Sequence, residues 1–150
     1  MDRFPHPADL VTPGWLSDDR DRIISYLQAG RTFAKWRGLS YCRFGCGADT
    51  RAMGSRCLTD GEWVWPEGLA HYVESHEVRL PQEFVDAMRR HCWQIGLAED
   101  GPTADAQGEP DFTFWLEWSA TQLGQLRVYP ISFPGFYAVC RAEPLYLKIG

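Results

Sequence analysis

The chain has 150 residues and a mass of 17.2 kDa, which is the size of one domain with a core of its own. Its 7 tryptophans, 6 tyrosines and 8 phenylalanines exclude wholesale disorder, and its apolar runs are too short for a transmembrane helix. The net charge of −5 argues against a protein that coats nucleic acid over its whole surface. The opening residues, MDRFPHPADL, lack the segments of a secretion signal, so we expect a cytoplasmic protein. Five cysteines in such a chain indicate metal ligands or buried thiols rather than a disulfide framework.

The first element that the sequence predicts is a helix. Residues 1–16 are rich in proline and glycine and are expected to form an irregular lead-in. Ser17 is a good N-cap, and Gly30 suits the left-handed position after a helix, so the pattern predicts a helix over Asp18–Ala29.

A β-hairpin follows two short extended segments, which are predicted over Thr32–Trp36 and Ser40–Phe44. Asp60-Gly61 is typical of a two-residue type I′ turn, in which both central residues need a positive φ. The flanking strands are predicted over Arg56–Thr59 and Glu62–Trp65.

Two more helices are predicted after the hairpin. Pro66 is placed at the first position of one helix and Pro81 opens the next, since proline lacks the N–H that would be unpaired there. Their apolar stripes have helical spacing. The first stripe is Leu69, Tyr72, Val73 and His76, and the second is Phe84, Val85, Met88 and Cys92.

The last third of the chain is predicted to be mostly β. Residues 98–111 are acidic and without periodicity, and are expected to form a loop. Phe112, Phe114, Leu116 and Trp118 alternate with other residues, which predicts a strand. Further strands are predicted over Leu123–Pro130, Gly135–Arg141 and Leu145–Ile149. The whole chain, 1–150, is therefore expected to be one α+β domain with a C-terminal antiparallel β region.

Cysteines and histidines have the order of a metal site. Cys42 and Cys46 are four apart with glycines at 45 and 47, which allow the tight bend that two thiolates need to bind one Zn²⁺. His71 and His76, on the predicted helix, would supply the second pair. Five residues of ideal helix leave two imidazoles about 140° apart, so both reach one ion only if the helix loosens or ends between them. The alternative is that Cys42 and Cys46 are buried small hydrophobic side chains and that His76 is a core or capping histidine.

The remaining cysteines are assigned to other roles. Cys57 could replace one ligand, although a buried strand position suits it better. Cys92 and Cys140 lie on apolar faces and are expected to be core thiols.

Two resemblances accompany these residues. The glycine-flanked cysteine pair followed by hairpin and helix resembles treble-clef and C2H2-like zinc modules, with one residue more in the knuckle and 24 residues between Cys46 and His71. The segment TDGEWVWPEGLAHYV resembles a group of small bacterial proteins without an assigned activity. That second resemblance implies a bacterial cytosolic origin and a hairpin–helix unit, and it implies no catalytic residue.

Charge is distributed unevenly along the chain. Residues 31–57 carry a local charge of +5 and the remainder −10. Aromatic residues, Phe33, Trp36, Tyr41 and Phe44, lie among the basic ones, which is typical of nucleic-acid binding if both are exposed. The alternatives are aromatic side chains that face the core, or a face that binds an acidic protein. The basic residues are Arg31, Lys35, Arg37, Arg43, Arg51 and Arg56.

The sequence favours a binding protein over an enzyme. Common hydrolase and nucleotide-binding motifs are absent, and four protein ligands would close a zinc site to substrate. We therefore expect a zinc-stabilised interaction or regulatory module whose partner is another protein, with nucleic-acid binding as the alternative. If only three ligands bind, Asp60 or Glu67 could help activate a water in a small metal- or thiol-dependent hydrolase. Glu67 and Glu74 are also spaced to pair with His71.

Overall fold

The computed structural model describes residues 7–35, 41–95, 113–122 and 140–141, and these form a mixed helix and sheet structure. A short 3₁₀ helix over Pro7–Leu10 precedes the regular elements. The helices are α1 (Arg20–Gln28), α2 (Thr50–Met53), α3 (Leu69–His76), α4 (Gln82–Arg90) and α5 (Thr113–Gln122). The strands are β1 (Arg31–Lys35), β2 (Arg56–Thr59), β3 (Trp63–Pro66) and β4 (Cys140–Arg141). In this part of the chain no helix is long and apolar enough to cross a membrane.

The strands form one antiparallel sheet in the order β1-β2-β3-β4. In the central pair, Leu58 lies opposite Trp65, and Thr59 lies opposite Val64. Three consecutive residues of each of these two strands are buried, so both faces of the hairpin are covered. Trp63 and Trp65 pack against Phe84 of α4, with ring centroids 5.4 and 5.3 Å away.

Helix α1 packs on this sheet through its apolar stripe. Ile23, Tyr26 and Leu27 are buried, and the indole N–H of Trp65 donates to the carbonyl of Leu27 at 3.0 Å. The helix is shorter than Asp18–Ala29, and the N-cap prediction at Ser17 is wrong.

Gly30 serves a different purpose from the predicted left-handed position, since its φ is not positive. A Cβ there would lie 2.5 Å from Cζ2 of Trp65 and 2.8 Å from Cβ of Leu58. Close approach of the chain to the hairpin therefore requires glycine here.

The hairpin turn is longer than the two residues predicted. Gly61 has a φ of 97°, but Asp60 does not share a positive φ, so a type I′ turn is excluded. The Asp60 carboxylate instead closes the turn, because Oδ1 accepts from the backbone N–H of Glu62 at 2.8 Å and of Trp63 at 2.7 Å. An aspartate side chain can fold a turn in this way without a left-handed backbone.

Helices α3 and α4 carry the stripes that the sequence predicts, with two corrections. Pro66 is the last residue of β3 rather than the first of a helix, and α3 begins at Leu69. Cys92 lies beyond the end of α4 with a φ of 54° and is exposed, so it is not a core thiol. Because α4 ends at Arg90 and the backbone at Cys92 is left-handed, the helical spacing that would place Cys92 on the apolar face does not continue to it.

The strand predicted over residues 112–118 is wrong, because Thr113–Gln122 forms α5. The run FTFWLEW is apolar at almost every position, so it satisfies a period of 2 and a period of 3.6 alike. In the helix, Trp115 is fully buried and stacks on Trp118 at 5.1 Å, while Phe114 meets Trp63 edge-on at 4.8 Å.

Other C-terminal predictions fall largely outside the described residues. These are the loop 98–111 and the strands over 123–130 and 145–149. Of the strand predicted over 135–141, the structure describes Cys140–Arg141, which pairs with Trp63 and Val64. Of the two predicted extended segments near the N-terminus, β1 confirms most of Thr32–Trp36. In the segment Ser40–Phe44, the described residues 41–44 are not in a strand.

A partly buried hydrogen-bond chain connects α1, the hairpin turn and the end of α4. The hydroxyl of Tyr26 donates to Oδ2 of Asp60 at 2.6 Å, and it lies 2.8 Å from Nδ1 of His91. Because the single hydroxyl proton goes to Asp60, Nδ1 of His91 is the donor to the tyrosine oxygen. Burial, and then the contact with Asp60, raise the pKa of Tyr26 well above its ordinary value of 10.0.

Replacing Tyr26 with phenylalanine is expected to lower the free energy of unfolding by about 1 to 3 kcal/mol, because Asp60 and His91 lose their shared partner. The raised pKa means that this contribution is present below pH 10.0 and is lost at higher pH, so the difference between the two proteins should shrink there. Urea unfolding from pH 7 upward measures both effects. Tyr41→Phe is the matched control, since Tyr41 is 77% exposed, and an equal loss in both variants would contradict the prediction.

Candidate metal centre

Four side chains from two separate segments converge on one point. Cys42 and Cys46 lie before α2, and His71 and His76 lie on α3. Their ligand atoms all lie within 4.8 Å of one another. Nε2 of His76 is 3.4 Å from Sγ of Cys42, and Nε2 of His71 is 3.4 Å from Sγ of Cys46. The four residues are placed to bind a metal ion.

The two sulfur–nitrogen distances agree with tetrahedral coordination of a small ion. Bonds of about 2.3 Å to sulfur and about 2.0 Å to nitrogen place the two donor atoms about 3.5 Å apart in a tetrahedron. Both sulfur–nitrogen distances, 3.4 Å, are close to this value. The same atoms can form sulfur–nitrogen hydrogen bonds when protonated, and the four donor atoms, all within 4.8 Å of one another, would draw closer around a cation that replaces the protons.

The cysteine loop is shaped by glycine and by backbone amides. The N–H of Gly45 donates to the carbonyl of Cys42 at 3.0 Å and closes a turn. Gly45 and Gly47 have φ of 64° and 76°, a region in which other residues are strained. Burial raises the pKa of the Cys42 thiol, and the amides of Phe44 and Cys46 oppose that shift by donating to the sulfur. These amides stabilise the thiolate that coordination requires.

The two histidines lie on one continuous helix, so the predicted loosening between them is wrong. Helix α3 runs through His76 and ends at Glu77, whose φ of 51° is left-handed. The rings approach to 5.1 Å between centroids at 78° to each other. Both use Nε2, the ring nitrogen farther from the backbone, and that reach compensates for the angle between their helical positions.

Phe44 and Tyr72 cover one half of the site. The ring of Phe44 stacks on that of His76, with centroids 4.0 Å apart and planes at 9°. The hydroxyl of Tyr72 accepts from the backbone N–H of Arg43 at 2.9 Å, which attaches the loop to α3. Burial, and then the proximity of His71, lower the pKa of His76, which favours the neutral imidazole that binds metals.

Sequence reasoning missed these two supporting residues. Their signal was present in part: Phe44 stands between the two cysteines, and Tyr72 stands between the two histidines. An aromatic residue that lies in the sequence between two metal ligands is a candidate for packing against them. Spacing alone does not say which ligand side chain it contacts.

The carboxylates that could have assisted a catalytic ion are engaged elsewhere. Glu67 binds the guanidinium of Arg56, with Oε1 2.7 Å from Nη2, and its Oε2 accepts from the backbone N–H of Ser55 at 3.0 Å. Asp60 closes the hairpin turn, as described above. Glu67 therefore pairs with Arg56 rather than with His71, as its spacing also allowed, and Nδ1 of His71 lies 3.4 Å from the hydroxyl of Ser75.

Cys57 lies in β2 and is 1% exposed, opposite Ala34 and Pro66 in the sheet. It is outside the group of converging ligand atoms, so the structure favours the buried strand position over the substitute ligand.

In the described part of the basic segment, 31–35 and 41–57, two of the predicted aromatic residues are not exposed. Phe33 is buried and Phe44 packs on His76, so these aromatics face inward. Arg56 is paired with Glu67, and Arg31 is half-buried. Exposed members are Lys35, Tyr41 and Arg43. Trp36 and Arg37 lie outside the described residues, and Arg51 is described only as part of α2.

No family model, curated protein or solved structure matches this chain. The geometry of the site therefore carries the functional argument.

The ion pair between Glu67 and Arg56 fixes the chain just before α3. Removing the charge of Glu67 is therefore expected to lower the free energy of unfolding. Its hydrogen bonds, first to Arg56 and then to two amides, hold the pKa of Glu67 below its ordinary value of 4.5. A lowered pKa contributes stability above pH 4.5 that is lost as the pH falls. Glu67→Gln should cost about 1 kcal/mol at pH 7, and the difference from the wild type should shrink below pH 4.5.

Chemical denaturation of both proteins across this pH range measures the difference. Glu74→Gln is the control, because Glu74 is an exposed glutamate on α3, the helix that follows Glu67. A constant difference at all pH values would show that the Glu67 charge is not the source.

Proposed function

We propose that this protein is a small zinc-binding module in which the ion is structural and shapes a surface for another protein. The observation that carries the proposal is the convergence of Cys42, Cys46, His71 and His76, with all four ligand atoms within 4.8 Å. Kinship with the small bacterial proteins that share the segment TDGEWVWPEGLAHYV, and a cytoplasmic location, belong to the same proposal.

The donor set favours zinc over other common ions. Two thiolates and two imidazoles suit a borderline-soft ion that accepts tetrahedral geometry, whereas Mg²⁺ and Ca²⁺ prefer oxygen. The sulfur–nitrogen distances of 3.4 Å fit the bond lengths of zinc.

A structural role follows from the number of protein ligands. Four side-chain donors fill a tetrahedral ion and leave no position for water or substrate. When bound, the ion supplies a cross-link between the cysteine loop and α3. The cross-link would stabilise the loop over 41–49, which contains no helix or strand.

A protein partner suits the residues beside this loop. Tyr41 is 77% exposed and directly precedes the ligand Cys42, and Arg43 is exposed on its other side. Tyrosine and arginine are enriched at protein interfaces, where one side chain supplies both apolar area and hydrogen bonds. A loop held by an ion presents such residues at a low entropic cost.

Zinc content and stability test the structural role. Native mass spectrometry of the wild type is expected to show one zinc per chain, and a chelator should lower the melting temperature. The Cys42→Ser/Cys46→Ser double variant should lack zinc and melt at the temperature of the chelated wild type. Cys92→Ser is the control, since Cys92 is exposed and outside the site. A metal-free wild type that is fully folded and insensitive to the chelator would refute the proposal.

A photo-crosslinking amino acid at position 41 tests the partner surface. We expect protein adducts in bacterial extract that disappear when the chelator is added, because the loop then loses its fixed shape. The same probe at exposed Asp86 on α4 controls for random collisions. Nucleic acid would be the partner instead if labelled oligonucleotides bind, and if binding weakens with salt and in Lys35→Ala and Arg43→Ala variants.

A further inference from the structure

We propose that Cys46 is an oxidative modification site, at which peroxide attack starts the conversion of the Cys42/Cys46 pair into a disulfide. The inference rests on the proposed function, because it takes the two thiolates as zinc ligands. It adds regulation to that site: the loop would lose its metal cross-link under oxidising conditions.

The two cysteines differ in accessibility. Cys42 is 5% exposed, and the neighbouring His76 is covered by the ring of Phe44. Cys46 is exposed, whereas both histidines are half-buried. The difference therefore lies in the two sulfurs, so a small polar oxidant reaches Sγ of Cys46 first.

The loop between the cysteines leaves room for a disulfide. Their sulfur atoms lie within 4.8 Å of each other, and a disulfide needs about 2.05 Å between them. Gly45 and Gly47 flank Cys46, and no heavy atom lies within 4 Å of where a Cβ would stand on either glycine. Cys42 is attached through the Phe44 stack and the Arg43–Tyr72 hydrogen bond, so the Cys46 end of the loop is the end that moves.

The chemistry is a two-electron oxidation in two steps. The Cys46 thiolate attacks one oxygen of hydrogen peroxide, forming a sulfur–oxygen bond as the oxygen–oxygen bond breaks and hydroxide leaves. The Cys42 thiolate then attacks the sulfur of this sulfenic acid, the sulfur–sulfur bond forms, and a second hydroxide leaves. One peroxide is reduced to two hydroxides and two thiolates are oxidised. The site keeps two imidazoles, which are too few to hold the ion against competing chelators.

Oxidation of the zinc-loaded full chain tests the proposal. A chromogenic zinc chelator follows release after peroxide is added, and peptide mass spectrometry identifies the disulfide. At early times a sulfenic-acid trapping reagent should label Cys46 about tenfold more than Cys92, because zinc coordination would hold the Cys46 sulfur as the thiolate, the form that attacks peroxide. Cys92 is the matched control, being exposed but outside the metal site. Zinc release should accompany a Cys42–Cys46 disulfide and should be unchanged in Cys92→Ser.

The outcomes separate this inference from the function on which it rests. Zinc measured before peroxide decides the function: a chain that binds none overturns both proposals. If zinc is bound but survives peroxide, or if the trapping reagent labels Cys42 or Cys92 first, only the oxidation site is refuted. Cys46→Ser provides a second measurement, because its residual peroxide sensitivity should be that of Cys92 alone and should yield no disulfide at Cys42.

Discussion

The burial of both faces of one hairpin is the constraint on which the rest of the fold depends. Trp63 and Trp65 occupy one face against α1, α4 and α5, and Val64 is buried on the other. Such a hairpin cannot leave its polar ends unsatisfied, because an unpaired backbone group out of water is costly. Each end is closed by a carboxylate: Asp60 serves the turn, and Glu67 serves the strand ends through Arg56. Helix α3 begins two residues after Glu67, so the contacts of Glu67 also fix where His71 and His76 lie.

Local signals in the sequence predicted the elements that local chemistry determines. The strand Arg56–Thr59 and the apolar stripes of α3 and α4 were predicted because their periodicity matches one element only. The helix over Thr113–Gln122 was not, since its apolar residues satisfy two periods and only the packing of Trp115 distinguishes them. Gly30 shows a related limit: the tryptophan that excludes a Cβ there is 35 positions away in the chain, so no local rule announces it.

The candidate metal site shows the same difference between features that local sequence signals predict and features that depend on contacts between distant segments. The identity of the four converging residues followed from residue type, order and the flanking glycines, which are local features. How His71 and His76 reach one point from a single helix was predicted wrongly, because helical angles ignore the reach of the imidazole to Nε2. The roles of Phe44 and Glu67 depend on contacts between segments. An acidic residue one turn from a histidine pairs with it only when no arginine competes, and here Arg56 does.

The unequal burial of the four ligands follows from where the loop must attach. A loop without regular structure needs one fixed side, and it obtains that side by packing Phe44 on His76 and by binding Tyr72 through the amide of Arg43. The ligand nearest this attachment, Cys42, is enclosed as a consequence. Cys46 lies on the far side, between two glycines beside which a Cβ would meet no atom from outside the immediate chain within 4 Å. The geometry that brings the four candidate ligands together therefore also leaves one sulfur exposed to solvent. If the loop packed against the protein on both sides, both sulfur atoms would be shielded from reagents in solvent. Because it packs on one side only, reagents reach the site at Cys46.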